Sequence, residues 1–420
     1  MELSGFELAL MLILASFVCF AALGYLWVSR KPVDSGWILA IAFFWDVLWS
    51  SMLIDTLSFR DSILMVMLSV TVVAVIAVWR RPAVLPELWR SKVLLLLALF
   101  LAYALLSALW SVNPAYGHWK WQLLVIRGLF FGLAFFIVFR TYRNFTWKPI
   151  MIAGVASCIA LLAYGAEEYA GRLSIFGINP IWMARLALLV ASVALWDSTQ
   201  RWFIRLPVFG LAIAAFWGTQ SRGPLAAFLL ASAIVLAERI FFRKDAKFAL
   251  RLSGGFLLLA VISFGILFAV PDLDAQYGLS VGTRLEVLYN PSALFADPNF
   301  ISRVDLFSRA TNIFAEYPLG GVGIGGYAVG LIRDYPHNIV LEIASELGLL
   351  GLLLWAATVI FMLRATKANQ LLRVMFLQGI FYAMFSGDLA VNYEWLLFGI
   401  AAVAVLRSRG EQFFLSSKVT

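Results

Sequence analysis

Long apolar runs alternate with short polar connections along this chain of 420 residues. An α-helix needs roughly 20 apolar residues to cross the hydrocarbon core of a bilayer. Runs near that length predict membrane-spanning helices near 6–29, 36–54, 62–79, 93–111, 123–139, 149–166, 180–196, 204–219, 223–238, 250–270, 338–363, 372–387 and 394–406. The pattern therefore predicts an all-α, polytopic transmembrane helical bundle of 12–13 spans, with residues 1–420 forming a single integral membrane domain.

The polar connections between these runs alternate in charge, and the basic ones predict the cytoplasmic side. Two basic stretches, Arg239–Arg251 and Arg364–Arg373, bracket the longest connection. The connections that alternate with the basic ones are short or acidic, as at Glu167-Glu168, and we expect them on the outer side. This parity places the N-terminus outside and the C-terminus inside.

The connection 271–337 is far longer than the others and falls on the outward side, which makes it a long periplasmic loop. Loops of this length are usually functional or disordered. Apolar residues within it favour a packed segment, and Val304, Phe307, Thr311 and Phe314 recur at spacings of three and four, as in an amphipathic helix. We expect short amphipathic helices lying on the outer membrane face.

Composition agrees with a membrane protein and changes little else. The chain is 63% hydrophobic and 13% charged, with a mean hydropathy of +0.90, which excludes an ordinary soluble domain. Its net charge of +8 lies in short clusters between apolar runs, which indicates membrane orientation and no nucleic-acid partner. The first apolar run lacks a basic leader, so we expect it to stay as a membrane helix. Cys19 and Cys158 lie in apolar runs, as small buried residues do.

Pro336-His337-Asn338, at the predicted start of a membrane helix, is the strongest local pattern. Proline suits the first helical turn, and the positive end of the helix dipole disfavours imidazolium, so His337 would stay neutral, as a general base requires. An interfacial histidine without a catalytic role fits equally well. The other histidine, His118, stands beside Trp119 and Trp121, where an aromatic interfacial belt is the favoured reading.

The helix that follows carries small and acidic residues on different faces. At 100° per residue, Ala344, Gly348 and Gly351 fall within about 40° of His337, so another helix could approach closely beneath it. Glu342 and Glu346 project away from that face, either as functional acids or as partners of a group on another helix. Polar residues at the last outward turn are expected to be solvated; these are Asp388, Asn392 and Glu394.

Arginines on the predicted outer side run against the positive-inside bias. They are Arg172, Arg185, Arg222, Arg284, Arg303 and Arg309. A guanidinium binds phosphate through two parallel hydrogen bonds and keeps its charge when partly desolvated, so this set suits a pyrophosphate at a membrane surface. Snorkelling or pairing with nearby acids is the alternative, and it fits Arg222 least because that residue sits in a tight turn between two apolar runs.

A glycine-rich stretch, Gly321-Val322-Gly323-Ile324-Gly325-Gly326, fits the spacing of a dinucleotide-binding loop. That motif carries meaning only between a strand and a helix of a βαβ unit, and the surrounding sequence predicts none. We interpret it as a flexible turn.

Several of these motifs together resemble the O-antigen ligase and polymerase superfamily of bacterial envelope glycosyltransferases. The resemblance begins at His337-Asn338, which is followed after nine residues by Gly348-Leu349-Leu350-Gly351. Arg303-Val304-Asp305-Leu306-Phe307, ahead of Tyr317-Pro318-Leu319-Gly320-Gly321-Val322-Gly323, is similar to the family's Arg-containing segment and its Gly-Val-Gly turn. Ser221-Arg222-Gly223 is similar to the turn ahead of the long loop. The matches span about 219–351.

The resemblance implies a metal-independent, inverting transferase without a cofactor at the periplasmic face of the bacterial inner membrane. Its donor would be a glycan linked to undecaprenyl pyrophosphate, and its acceptor lipid A-core or another glycan. His337 would be the catalytic base. Arg222 and Arg303, with Arg185 and Arg172, would bind pyrophosphate, and Asn338, Glu346, Gly348 and Gly351 would support the site. The family is described with twelve spans and both ends in the cytoplasm, which departs from the thirteen runs and the outward N-terminus predicted here.

Ligases, polymerases and protein-glycosylating relatives share these motifs. The compact layout, with one dominant loop before the final helices, favours a ligase acting on lipid A-core, and a polymerase or a protein O-oligosaccharyltransferase stays open. A proton-coupled transporter or flippase that uses His337, Glu342 and Glu346 is the alternative from another class. The sequence leaves the sugar, the acceptor and the oligomeric state open.

Overall fold

The computed structural model describes residues 32–45, 59–168, 172–175, 178–243, 298–328 and 334–416. The predicted spans at 6–29 and 250–270, and Arg284, lie outside the described residues. Of the predicted loop 271–337, the parts 271–297 and 329–333 also lie outside them, so its full extent stays a prediction.

Helices account for most of the described residues. In chain order they are α1 Gly36–Ala40, α2 Phe59–Arg80, α3 Val84–Trp89, α4 Lys92–Leu106, α5 Pro114–Leu123, α6 Phe131–Tyr142, α7 Lys148–Tyr164, α8 Pro180–Trp196, α9 Trp202–Thr219, α10 Arg222–Arg243, α11 Pro298–Glu316, α12 Ile339–Ala365, α13 Gln370–Phe385 and α14 Glu394–Ser416. A π-helical turn, Leu124–Phe130, joins α5 to α6 without interruption. Two short strands, β1 Ala166–Glu168 and β2 Arg172–Ser174, pair as an antiparallel hairpin.

Five helical segments are long and apolar enough to cross a membrane, and several shorter apolar helices accompany them. The five are Lys92–Leu109, Pro114–Tyr142, Trp202–Thr219, Arg222–Phe241 and Ile339–Ala365. The prediction of an all-α, polytopic membrane protein is confirmed. Within the described residues, the predicted spans from residue 62 onward follow the observed helices closely, except that the one expected at 123–139 begins at Pro114. The predicted span at 36–54 is described only as far as residue 45.

Polar caps place the starts of the helices that build the site. Asn113, Asn179 and Asn369 each accept a hydrogen bond from a backbone N–H in the first turn of α5, α8 and α13. Proline follows the first two of these at the opening helical position, where a missing N–H costs nothing. Helix α8 is buried along almost its whole length and packs against α9, α10 and α13. It therefore forms the centre of one half of the bundle.

Helix α12 is kinked at Gly348, which has φ 63° and ψ −165°. The kink breaks backbone hydrogen bonds within the helix, and backbone groups of the segment 318–322 take the place of the missing partners. The N–H of Leu349 donates to the Pro318 carbonyl at 2.8 Å, and the Ser345 carbonyl accepts from the Val322 N–H at 3.0 Å. The Tyr103 hydroxyl donates to the Leu347 carbonyl at 3.1 Å. The polar backbone groups freed by the kink thus find partners, as burial demands.

The turn 321–326 is buried against α5. A Cβ on Gly325 would lie 2.4 Å from the Gly117 nitrogen, so only glycine permits this approach. The Ile324 carbonyl accepts from the Ser111 hydroxyl at 2.8 Å, and its N–H donates to the Ser107 hydroxyl at 3.0 Å. The predicted turn is confirmed. The expectation that it is flexible is wrong, because its backbone is pinned on both sides.

Candidate active site

His337 lies between the ordered turn at 334–336 and the first residue of α12, with a left-handed backbone at φ 54°. Left-handed φ is uncommon for a residue other than glycine and often marks a functional position. The Tyr335 ring lies against the imidazole at 4.5 Å between centroids, edge to face. Nδ1 is buried and has no hydrogen-bond partner among the described residues. One ring nitrogen of His337 therefore has unused hydrogen-bonding capacity.

The expectation that Pro336 lies in the first helical turn is wrong, because α12 begins at Ile339 and His337 lies two residues before it. Asn338 caps α12, and its side-chain oxygen accepts from the N–H groups of Val340 and Leu341 at 3.0 and 3.1 Å. Pro336 therefore precedes the cap rather than filling the first helical turn. The capping role of Asn338 supports His337 indirectly, since it fixes where the helix begins.

The pKa of His337 is lowered to about 4, chiefly by burial and next by the positive charge of Arg303, while Asp334 and Asp388 act in the opposite direction. An imidazole out of water loses the solvation that stabilises its charged form, which is the main cause. The neutral state expected from the sequence is thus favoured, chiefly by burial. Tyr335 lies in the same field, because its pKa is raised by burial and then by Asp388 and Glu342, with Arg185 opposing them.

Helix α11 brings Arg303 into this field and also carries Arg309. The Arg309 guanidinium pairs with Asp334 at 3.2 Å and donates to the Tyr327 carbonyl at 2.5 Å. Its Cζ lies 4.6 Å from the centroid of the Tyr327 ring. Its partner is thus Asp334 rather than the nearer acids in sequence. This pair ties α11 to the segment that leads into His337, and Arg303 on the same helix is also half-buried.

Arg172 and Arg222 meet at the turn between α9 and α10. From strand β2, Arg172 donates to the Thr219 carbonyl at 2.9 Å and to the Ser221 hydroxyl at 2.5 Å. The residue after Ser221 is Arg222, which opens α10 and is half-buried. The β hairpin therefore places two of the predicted phosphate-binding arginines around one turn.

A cavity of about 120 Å³ adjoins this turn, and its lining is mainly apolar. Phe216, Trp217, Leu225 and Leu229 form most of its wall, with Arg222 at one end. The turn also lies close to the end of α13, because a Cβ on Gly223 would lie 3.5 Å from the Phe385 Cβ.

Arg185 is buried inside the bundle and is held by the segment 386–394 that follows α13. It pairs with Glu394 at 2.9 Å and donates to the Asn392 side-chain oxygen at 2.8 Å and to the Ser386 carbonyl at 3.2 Å. The Cζ of Arg185 also lies 4.5 Å from the centroid of the Trp182 ring. The expectation that Asp388, Asn392 and Glu394 are solvated is wrong, because each is at most 3% exposed. A buried guanidinium and its hydrogen bonds require these residues inside.

Lys120 is the site residue that the sequence reasoning missed. It is fully buried on α5, and its ammonium contacts both carboxylate oxygens of Glu346, at 2.9 and 2.8 Å, and one oxygen of Glu342. Both glutamates are 1% exposed. The two acids therefore pair with a cation on another helix, one of the alternatives left open above. The signal that could have found Lys120 was a lone cation next to an apolar run.

The small residues expected to admit a neighbouring helix act differently. Gly348 admits the backbone of Leu319 and Gly320, since a Cβ there would lie 2.4 Å from the Leu319 carbonyl carbon. Gly351 faces the Leu347 side chain of its own helix, where a Cβ would lie 2.2 Å from the Leu347 Cβ. The expected helix–helix approach beneath His337 is wrong, because the kink brings in a turn instead.

Two comparisons with known proteins bear on this arrangement. A sequence model of the family described as O-antigen ligase matches residues 207–356, which contain Arg222, Arg303 and His337. The O-antigen ligase of Pseudomonas aeruginosa is 25% identical over 336 residues, which cover 77% of this chain and 73% of that protein. These matches confirm the resemblance to the O-antigen ligase and polymerase superfamily. The alignment with the Pseudomonas protein is longer than the family match and extends beyond the motif region.

Proposed function

We propose that this protein transfers a glycan from a polyprenyl pyrophosphate to an acceptor hydroxyl at the outer face of the inner membrane. Undecaprenyl pyrophosphate is the expected carrier, and lipid A-core the expected acceptor. The proposal is carried by a half-buried His337 whose Nδ1 is buried without a hydrogen-bond partner and whose pKa is lowered by burial and by Arg303, in a chain similar to O-antigen ligases. A base and fixed cations are what a displacement at a sugar–pyrophosphate bond requires.

The reaction balances as a single displacement. The acceptor O–H breaks and its proton passes to the His337 imidazole, while the acceptor oxygen bonds to the anomeric carbon. The bond from that carbon to the pyrophosphate oxygen breaks, and polyprenyl pyrophosphate leaves with the electron pair. One displacement inverts the anomeric centre.

The arginines supply charge where the leaving group gains it. Arg303 lies in the field of His337, and Arg172 and Arg222 lie around the turn 219–222. Because a lipid pyrophosphate already carries its activation and arginine keeps its charge, we propose that the transfer needs no divalent metal. The cavity beside Arg222 is lined by apolar side chains, which suits the first part of a polyprenyl chain.

Arg185 stands apart in this scheme. Its contacts to Glu394, Asn392 and the Ser386 carbonyl engage much of its guanidinium. We therefore assign it a positioning role for the segment 386–394, with direct contact to pyrophosphate carried by the other three arginines.

A transfer assay tests the proposal. Purified full-length protein in detergent receives a polyprenyl-pyrophosphate-linked glycan and, in parallel, lipid A-core, a second lipid-linked glycan or an acceptor protein. We expect release of polyprenyl pyrophosphate and a glycosylated lipid A-core, at a rate that a chelator does not change. Product on the second lipid-linked glycan would instead identify a polymerase, and product on protein a protein glycosyltransferase.

The histidines provide a matched pair for this assay. We expect His337→Ala to lower the rate at least about 100-fold, the usual range for loss of a general base. His118→Ala, at an exposed position on α5, should leave the rate near wild type. Intact release by His337→Ala would refute the catalytic assignment, and proton-coupled uptake of a glycan lipid into vesicles without release would favour the transporter alternative.

A further inference from the structure

A buried group of six charged residues lies beneath His337 and is not used by the proposed chemistry. It contains two cations and four carboxylates: Lys120, Arg185, Glu342, Glu346, Asp388 and Glu394, each at most 5% exposed. Burying charge is costly unless every charge has partners, so such a group persists only where it does something specific. Its contacts show which element it holds.

Glu342 connects three elements within this group. One of its oxygens contacts the Lys120 ammonium from α5, and both accept from the backbone N–H of Leu389, at 3.1 and 3.0 Å. A single side chain thus ties α12 to α5 and to the segment 386–393. Glu346, one turn further along α12, contacts Lys120 alone among these partners.

The residue before Leu389 is Asp388, whose negative charge favours protonation of His337, as that of Asp334 does more strongly. Its Oδ2 accepts from the Tyr116 hydroxyl at 2.8 Å, and its Oδ1 accepts from the Val391 N–H at 3.0 Å. Tyr116 stands one turn before Lys120 on α5. Helix α5 therefore holds Asp388 at two points, directly through Tyr116 and through Lys120, Glu342 and the Leu389 amide.

The charges that face His337 come from three elements. Arg303 on α11 opposes its protonation, and Asp334 in the preceding turn and Asp388 after α13 favour it. A base that takes a proton in the transition state gains positive charge, which a fixed carboxylate stabilises. Asp388 is suited to that role only if the segment carrying it keeps its place.

We infer that Glu342, held by Lys120, is a positioning residue for proton transfer at His337, because it anchors the segment that carries Asp388 to the first turn of the helix that begins after His337. The inference rests on the proposed function for its kinetic test, and it has a second test that needs no activity. Glu342 itself makes no contact with the reacting atoms in this account.

The kinetic test compares two substitutions of the same kind. Glu342→Gln and Glu346→Gln each remove one carboxylate contact of Lys120, but only the first removes the charged link to Leu389. We expect Glu342→Gln to lower kcat about tenfold with a donor KM changed less than about threefold, and Glu346→Gln to lower kcat several-fold less. Equal losses in the two variants, or a loss confined to KM, would overturn the inference.

A double substitution tests the path through Asp388. If Glu342 acts by placing Asp388, Glu342→Gln/Asp388→Asn should be no slower than the slower single variant, whereas Glu346→Gln/Asp388→Asn should show multiplied losses. Multiplied losses in the first pair would contradict the inference. If Glu342→Gln gives no folded protein, Glu342→Asp serves in its place, because it keeps the charge but is one methylene shorter than the span from Lys120 to Leu389.

The second test follows the reactivity of His337 toward diethyl pyrocarbonate by mass spectrometry, with exposed His118 of the same molecule as reference. Release of the segment 386–393 should raise the His337-to-His118 rate ratio at least about twofold in Glu342→Gln and not in Glu346→Gln. An unchanged ratio in both overturns the inference. If Glu342→Gln raises the ratio but the wild-type protein transfers no glycan, the proposed function is refuted and the positioning role of Glu342 is not.

Discussion

Replacing Gly348 by alanine should damage the protein more than any ordinary helix substitution. Gly348 has φ 63° and ψ −165°, a backbone region that is essentially restricted to glycine. A Cβ there would lie 2.4 Å from both the carbonyl carbon and the oxygen of Leu319, and 2.6 Å from the Gly320 nitrogen. These are backbone atoms, which cannot rotate away as a side chain would.

The cost has two parts. Holding a non-glycine residue in that backbone region costs about 1–3 kcal/mol. Forcing extra volume into a packed site costs about 1–3 kcal/mol more. The substitution therefore removes about 2–6 kcal/mol, and it does so where the segment 318–322 completes the hydrogen bonds of α12.

Thermal unfolding of purified protein in detergent measures this loss, with Gly210→Ala as the control. Gly210 lies within α9, and a Cβ there meets no atom within 4 Å. Alanine favours a helix over glycine by up to about 1 kcal/mol, so the control should melt at or above the wild-type temperature. Melting of Gly348→Ala near that of Gly210→Ala would refute the account of the kink.

Three further predictions concern the site. The proposed base His337 acts in its neutral form, so we expect activity to fall as the pH drops through its pKa of about 4. Because the charge of Arg303 lowers that pKa, Arg303→Gln should move the acid limb of kcat/KM to higher pH, and a limb moving lower would contradict this. Arg172→Lys keeps the charge but puts one nitrogen in place of the two that bond Thr219 and Ser221 separately, so donor KM should rise about tenfold with kcat less affected. An unchanged KM would count against it. Tyr335→Ala should lower kcat about tenfold and Tyr335→Phe much less, since phenylalanine keeps the ring against His337. Similar losses of kcat in both variants would show that the hydroxyl, and not the ring, is what matters.

The membrane helices could be predicted from the sequence because hydropathy along a chain depends only on composition and length. Span boundaries were less secure at α5, where Gly117, His118, Lys120 and Gln122 dilute the apolar pattern ahead of residue 123. The structure begins that helix at Pro114, capped by Asn113. The cap Asn113 and Pro114 were visible in the sequence, but Trp119 and Trp121 beyond them favoured an interfacial position.

The candidate base was predictable because it carries a local signature, whereas its partners were not. Asp388 and Lys120 reach the site through tertiary contacts, and the sequence holds no spacing that links them to His337. Glu342 and Glu346 were recognised as unusual within a span, but their shared cation lies on a helix far away in the chain. Charge balance inside a bundle is a property of the packed structure and not of any segment.

The kink at Gly348 shows a second limit. Gly348 and Gly351 fit the pattern of small residues at a helix–helix contact, which is the usual meaning of such spacing in membranes. A left-handed glycine within a span cannot be distinguished from that pattern without the segment that docks on it. The docking segment is 318–322. Its glycines were visible in the sequence, but nothing in the sequence indicated that they contact α12.

The long sequence separation of the buried ion pair bears on how the protein is made. Lys120 and Glu346 are 226 residues apart, so α5 enters the membrane well before α12 has been synthesised. Lys120 lies in the first third of the membrane segment Pro114–Tyr142, so an unpaired lysine there costs less than the about 2.5–3.5 kcal/mol of one at the centre of an inserting helix. The nascent chain must therefore carry an uncompensated charge through most of its biogenesis. A chain truncated before residue 339 should accumulate poorly in cells for that reason, and Lys120→Met should improve its yield.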